Sequence, residues 1–121
     1  MTINDVFKNI YKGESFYICL GNFLDEFYRK NDRERVKMIE TEPGYDIPIE
    51  QKAFLASTVH KLANDFQIDV PGWVFKGEYY LKEPYFDCNA RGKLRLLFMY
   101  KSPAEFKHRN VFVDENILQR V

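Results

Sequence analysis

The chain is poor in the residues that most often carry chemistry. Of its 121 residues two are cysteine and two are histidine, and 18 basic and 18 acidic side chains cancel to a formal net charge of zero. Cys19 lies between Ile18 and Leu20, and Cys88 follows Phe86 and Asp87. With no CxxC spacing and no adjacent histidine, both are expected as free thiols, and neither a metal site nor a cofactor is expected. Zero net charge removes the long-range attraction that captures DNA regardless of sequence, so nucleic-acid binding would need a local basic patch. The longest uninterrupted apolar runs, Phe16 to Leu20 and Leu96 to Tyr100, are five residues each, against about 20 for a membrane-spanning helix. Met1-Thr2-Ile3-Asn4-Asp5 lacks the basic flank and apolar stretch of a secretory signal, which makes the cytoplasm the expected compartment. The six glycines are scattered and none precedes a Lys-Ser or Lys-Thr pair, so no phosphate-binding loop is indicated.

What the chain has is apolar and aromatic weight, 45% and 17% of its residues. A chain of this size hides roughly two thirds of its unfolded surface on folding, enough for a core without disulfide staples. No internal repeat or low-complexity linker divides it. The expected fold is mainly α, a single compact domain over residues 1–121 with about five to seven helices and an aromatic-rich irregular segment in the middle.

Thr2 and Asp5 resemble a capping box before Ile3, Val6, Phe7, Ile10 and Tyr11, with Gly13 as a stop. Ser15 can cap a second helix carrying Phe16, Tyr17, Leu20, Phe23, Leu24, Phe27 and Tyr28 to about Lys30, with Gly21 admitting a close neighbour. A short charged helix follows from Asn31 or Asp32 to Glu40, before Pro43 and Gly44 break it. Pro48 suits the entrance of a central helix on which Leu55, Val59, Leu62 and Phe66 stack. From Trp73 to Phe86, six of fourteen residues are aromatic and no period persists, which predicts a loop with short helical turns. Leu94, Leu97 and Phe98 read as helix, although Lys93 to Leu96 also alternates like a strand. Ser102-Pro103-Ala104-Glu105 predicts a helix start with a serine cap. Val111 to Val113 interrupts that helix, and Asp114 can cap a last helical turn through Ile117, Leu118 and Arg120.

The candidate sites are few. His60, on the central helix, is the first choice for a general base, but its simpler reading is a boundary imidazole among apolar neighbours. His108 reads as a surface member of a basic helix. Asp25 and Glu26 point about 100° apart and share no site. No catalytic residue is expected, and the chain is read as a non-enzyme. Charge becomes uneven only near the end, where Arg91, Lys93, Arg95, Lys101, Lys107 and Arg109 face the single Glu105. Interleaved with Phe98, Tyr100 and Phe106, this stretch can be a solvated face, a surface for an acidic protein, or a phosphate and base contact. Trp73, Phe75, Tyr79, Tyr80, Tyr85 and Phe86 can cap the core or present an interface.

Three segments carry a family resemblance: Val70-Pro71-Gly72-Trp73-Val74, Tyr80-Leu81-Lys82-Glu83-Pro84-Tyr85-Phe86, and Ser102 through Val113. With a looser match at Asn22 to Tyr28, the region Phe16 to Val121 resembles a family of small uncharacterised bacterial proteins. The resemblance implies an antitoxin-like or accessory partner of a nucleotidyltransferase-type toxin, and it supplies no catalytic residues. The expected function is therefore a protein-interaction module, with Trp73, Tyr79, Tyr80, Tyr85, Phe86, Lys107 and Arg109 as the partner-binding residues. One alternative is a nucleic-acid-binding or regulatory domain using Arg91, Lys93, Arg95, Lys107 and Arg109. A second is a small enzyme of unrecognised type with His60 as base. Association with a second copy of the chain is left open.

Overall fold

Local capping chemistry sets the first three helices. In the computed structural model, which describes residues 1–120 and leaves Val121 outside, α1 (Ile3–Tyr11) starts at Thr2, whose hydroxyl and the Asp5 carboxylate close the expected capping box. Gly13, at φ +102°, ends the turn behind it. Ser15 caps α2 (Phe16–Arg29) and Asn31 caps α3 (Asp32–Ile39). Gly21 of α2 does admit a close neighbour: a Cβ there would lie 3.0 Å from Nη2 of Arg120, whose guanidinium pairs with Asp25.

The central helix, α4 (Ile49–Asp65), has Pro48 at its N-cap and is buried almost all round from Ala53 to Val59. Two polar residues in that stretch, Ser57 and Thr58, return their hydroxyls to the carbonyls of Ala53 and Phe54 at 2.7 and 2.9 Å, so neither is left without a partner. Phe54 meets Phe16 and Phe106 edge-on at 5.0 and 5.3 Å, joining α2 and α6 (Ala104–His108) across α4. Main contacts of α4 are with α6 and with the short helical turns at 72–75 and 77–79.

The mainly helical fold is therefore as expected: six α-helices among the described residues and almost no strand. The strand content is one two-residue pair, β1 (Tyr85–Phe86) parallel to β2 (Val111–Phe112). The β-branched run at 111–113 interrupts the helix, as its side chains suggest, by pairing with the aromatic segment. The remaining helix, α5 (Gly92–Lys101), forms where helix and strand patterns competed.

Two expected caps are different. Ser102 does not cap α6; Pro103 stands at its N-cap without a side-chain bond, and Ser102 is buried with its hydroxyl 2.5 Å from the Phe98 carbonyl. The same oxygen accepts from the Val113 amide at 2.8 Å, locking the end of α5 to the chain after β2. Asp114 starts hydrogen-bonded turns instead of a helix: its carboxylate accepts from Asn116 N at 2.8 Å, an Asx turn that competes with helical pairing.

Candidate interaction surface

The aromatic segment is a lid fastened inward. Trp73 is buried and its indole N–H donates to the Ile39 carbonyl at the end of α3, 2.9 Å away. Tyr79 is also buried, meets Trp73 at 5.2 Å between rings, and donates its hydroxyl to Glu42 at 3.2 Å. Lys76 holds the same carboxylate at 2.6 Å, so Glu42 ties this segment to the turn after α3. Burial first, and then the Glu42 charge, raises the Tyr79 pKa well above the ordinary phenol range, keeping the hydroxyl a donor. Trp73 and Tyr79 are thus withdrawn from the expected partner surface, because rings and polar tips are both consumed by the core. Tyr80, Tyr85 and Phe86 are half-buried. Tyr80 lies under a guanidinium, Tyr85 sits in β1, and Phe86 stacks on Phe112 at 5.0 Å.

Arg109 is the second correction, for both readings that used it. It is fully buried, with Nη2 donating to the Val74 carbonyl at 2.9 Å and Nη1 to the Glu105 carbonyl at 3.1 Å. The Tyr80 ring lies 4.8 Å from its guanidinium carbon. Its Nε has no partner and no carboxylate pairs with it among the described residues. Burial lowers its pKa, opposed by Tyr80 and Glu105, yet an arginine so placed remains a cation. Arg109 therefore clamps the aromatic segment to α6 and cannot touch a macromolecule outside.

Nη1 of Arg109 also lies 3.1 Å from Nδ1 of His60. A guanidinium can only donate, so Nδ1 accepts and the ring proton sits on Nε2. Burial, then the Arg109 charge, lowers the His60 pKa and holds it neutral. The imidazole thus presents a donor at the shallow hollow it shares with Asn64, Ala104, Glu105 and His108. Its hydrogen-bond partner is a cation, and its ring edge meets Phe75 at 5.1 Å. This is a boundary imidazole to which no carboxylate or nucleophile is hydrogen-bonded among the described residues. His108 is exposed and packs edge-on against Tyr80 at 5.7 Å. Both thiols are unpaired, Cys19 buried and Cys88 exposed, and no cluster of metal-ligating side chains occurs among the described residues.

The unburied apolar surface collects on α5. Only Phe98 of this helix is buried, while Tyr100 is 83% and Leu96 65% exposed, and Leu94, Leu97 and Met99 each keep nearly half their surface in water. At 100° per residue, Lys93, Leu96, Leu97 and Tyr100 share one arc, at spacings i, i+3, i+4 and i+7, and Arg95 and Phe98 lie opposite. The inner side is fixed: Arg95 lies 4.1 Å above the Phe86 ring, and Phe98 and Ser102 anchor the C-terminal end. Lys107, exposed on α6, donates to the Tyr100 carbonyl at 2.7 Å, satisfying an end carbonyl of α5 and favourably meeting its dipole. The N-terminal end follows a turn with Cys88, Asn89 and Gly92 at φ 56°, 52° and 58°. Asp87 secures that turn, accepting from the Tyr17 hydroxyl of α2.

Of the expected contact residues, Arg91, Lys93, Arg95 and Lys107 remain exposed, at or beside α5. Lys101 joins them, with only a distant 3.9 Å contact to Glu115. Leu96 and Leu97 were not among the expected contacts, and Tyr100 entered only as an aromatic interleaved with the basic stretch. The signal that could have found them is the absence of any sorted polar face between Lys93 and Lys101. A helix apolar all round belongs inside something.

No family model, curated protein or solved structure matches the chain. No helix among the described residues is long and apolar enough to cross a membrane.

Proposed function

We propose that the protein is a protein-interaction module whose recognition element is α5, docked as a helix in an apolar, acid-rimmed groove of its partner. The observation that carries this is the outward arc of Leu96, Leu97 and Tyr100, exposed on a helix whose opposite side is already anchored. Anchors at i, i+3, i+4 and i+7 are the pattern by which a helix fills a groove. Lys93 within this arc and Lys101 at its edge carry positive charge with no acidic residue between them, which favours an acidic partner and opposes like-charged surfaces. An apolar middle that includes a tyrosine, with cations at the edge, is also the usual anatomy of an interface.

The resemblance noted in the sequence makes a nucleotidyltransferase-type toxin the first partner to test, with this chain in the antitoxin-like role. A cytoplasmic setting fits the two unpaired thiols. The test is co-expression with a nucleotidyltransferase-type toxin followed by size-exclusion chromatography and a growth assay. Co-elution and relief of any growth inhibition are expected, and both are lost when Leu96→Ala and Tyr100→Ala are combined in a chain that still folds. No co-elution would overturn the antitoxin reading; co-elution indifferent to the double substitution would overturn the role of α5.

One observation favours nucleic-acid binding as a second reading: Arg91, Lys93 and Arg95 are exposed and have no ion-pair partner among the described residues. Affinity for single-stranded DNA would then fall steeply with salt and weaken on alanine replacement of these three, whereas a flat salt response would dismiss it.

A further inference from the structure

The sequence is neutral overall, but its charges are separated in space on one side of the molecule. A groove of about 600 Å³ runs between the start of α4 and the segment 77–85. Ile49, Leu81 and Tyr85 give it an apolar floor and wall, and Glu50, Glu78 and Glu83 stand along it, all three exposed. Lys82 is the only cation in its lining, while Lys52 lies 3.9 Å from Glu78 at its edge. Pro84 and Tyr85 form part of this groove and also part of the hollow that holds Arg91 and Arg95. An acidic, apolar groove and a basic, apolar helix are therefore neighbours across a shared ridge.

We propose that this face closes on a second copy of the chain, with α5 of each protomer seated in the acidic groove of the other. Three observations commit the groove to that occupant. Its signs are opposite to those of α5, so Lys93 and Lys101 meet Glu50, Glu78 and Glu83 in the opposing copy. The two elements adjoin, so one two-fold axis brings both pairs together, which is the self-complementarity a closed dimer requires. The simpler pairing of α5 against α5 sets cation against cation, with no acid anywhere from Arg91 to Ala104 to relieve it. The helix spans about 15 Å, and because the two-fold axis forms the seat twice, the dimer buries twice the surface of a single helix in a groove.

This inference rests on reading α5 as the recognition helix and adds a consequence. A second copy and a different partner compete for the same arc, so the homodimer is the resting form and dissociates when the partner binds.

The test uses the purified full chain in sedimentation-velocity and light-scattering measurements across concentration. A dimer that weakens with salt is expected. Glu78→Lys with Glu83→Lys should weaken it roughly 100-fold, as should Lys93→Glu with Lys101→Glu, since each sets like charges opposite each other. Mixing the two variants should restore a dimer, because both seats then again join opposite charges. Circular dichroism melting confirms that each variant is folded, as expected for exposed positions. A wild-type chain that stays monomeric at every attainable concentration, a dimer indifferent to either pair, or a mixture that fails to associate would each overturn the proposal. The groove variant leaves α5 untouched and should still bind the partner. Loss of self-association with partner binding intact thus separates this inference from the reading on which it rests.

Discussion

Helices α4 and α5 are both rich in apolar residues, and they meet opposite fates. In α4 Phe54, Leu55, Val59 and Leu62 are almost completely buried, covered by α6 and the aromatic lid. In α5 only Phe98 is, because β2 is its main neighbour and the outward arc is left open to water. Composition decides that a residue gains from leaving water; topology decides whether anything is there to cover it. Fully covering one Leu or Phe side chain is worth about 1.5–3 kcal/mol. The uncovered arc of α5 therefore holds free energy that folding has not used and that a partner can.

The comparison breaks first by equal truncations in the two helices. Phe54→Ala removes a ring wedged between Phe16 and Phe106 and should destabilise the fold by about 3–5 kcal/mol in denaturant unfolding. Leu96→Ala, at an exposed position, should change stability by no more than about 0.5 kcal/mol while weakening partner binding. A large folding cost at Leu96 would mean that α5 is covered within the monomer, contrary to its exposed position here.

Arg109→Ala comes next. It opens a cavity and strips the donor from the Val74 and Glu105 carbonyls, for an expected loss of about 2–4 kcal/mol. Arg109→Met should recover much of that loss, because it refills the volume without burying a cation that has no carboxylate partner. Ser102→Ala should cost about 1–2 kcal/mol, since the Val113 amide loses its acceptor in a buried place. The hydrogen-exchange protection of α5 should fall with it, whereas that of α4 should not.

Local rules made much of this fold legible. Thr2, Ser15 and Asn31 announce helices because a cap is a contact within three residues, and the sequence contains both ends of it. Ser102 has the same grammar and a different outcome: the Phe98 carbonyl one turn back and the Val113 amide eleven residues on take its hydroxyl, and the second of these lies outside any local window. The surface was less legible for the same reason. Trp73, Tyr79 and Arg109 look like contact residues by type, yet each is consumed by a distant partner, Ile39, Glu42 and Val74 respectively. The exposed arc of α5 was hidden differently, since an apolar run reads as core until the covering element is found missing. The four cations at 91, 93, 95 and 107 were identifiable because charge seldom hides.

The smallest expected effect concerns the seam between the lid and the helices, where His60 Nδ1 accepts from buried Arg109. Arg109, Glu105 and His108 are the charged or titratable groups that face this ring, and burial together with Arg109 lowers its pKa below the ordinary histidine value of ~6.5. A native state that resists protonation more than the unfolded chain is fully stabilised above ~6.5. That contribution is lost as pH falls from ~6.5 through the lower native value, after which no further loss follows from this group. Denaturant unfolding measured from about pH 7.5 down to about pH 5 should therefore show a shallow decline. His60→Gln should flatten it, because the amide oxygen can accept from Arg109 without titrating. Because α5 contributes no residue to this contact, the affinity of its arc for a partner should not follow the same curve. A parallel pH dependence of stability and binding would mean that lid and recognition helix move as one unit, and would erase the distinction between covered and uncovered halves of the molecule.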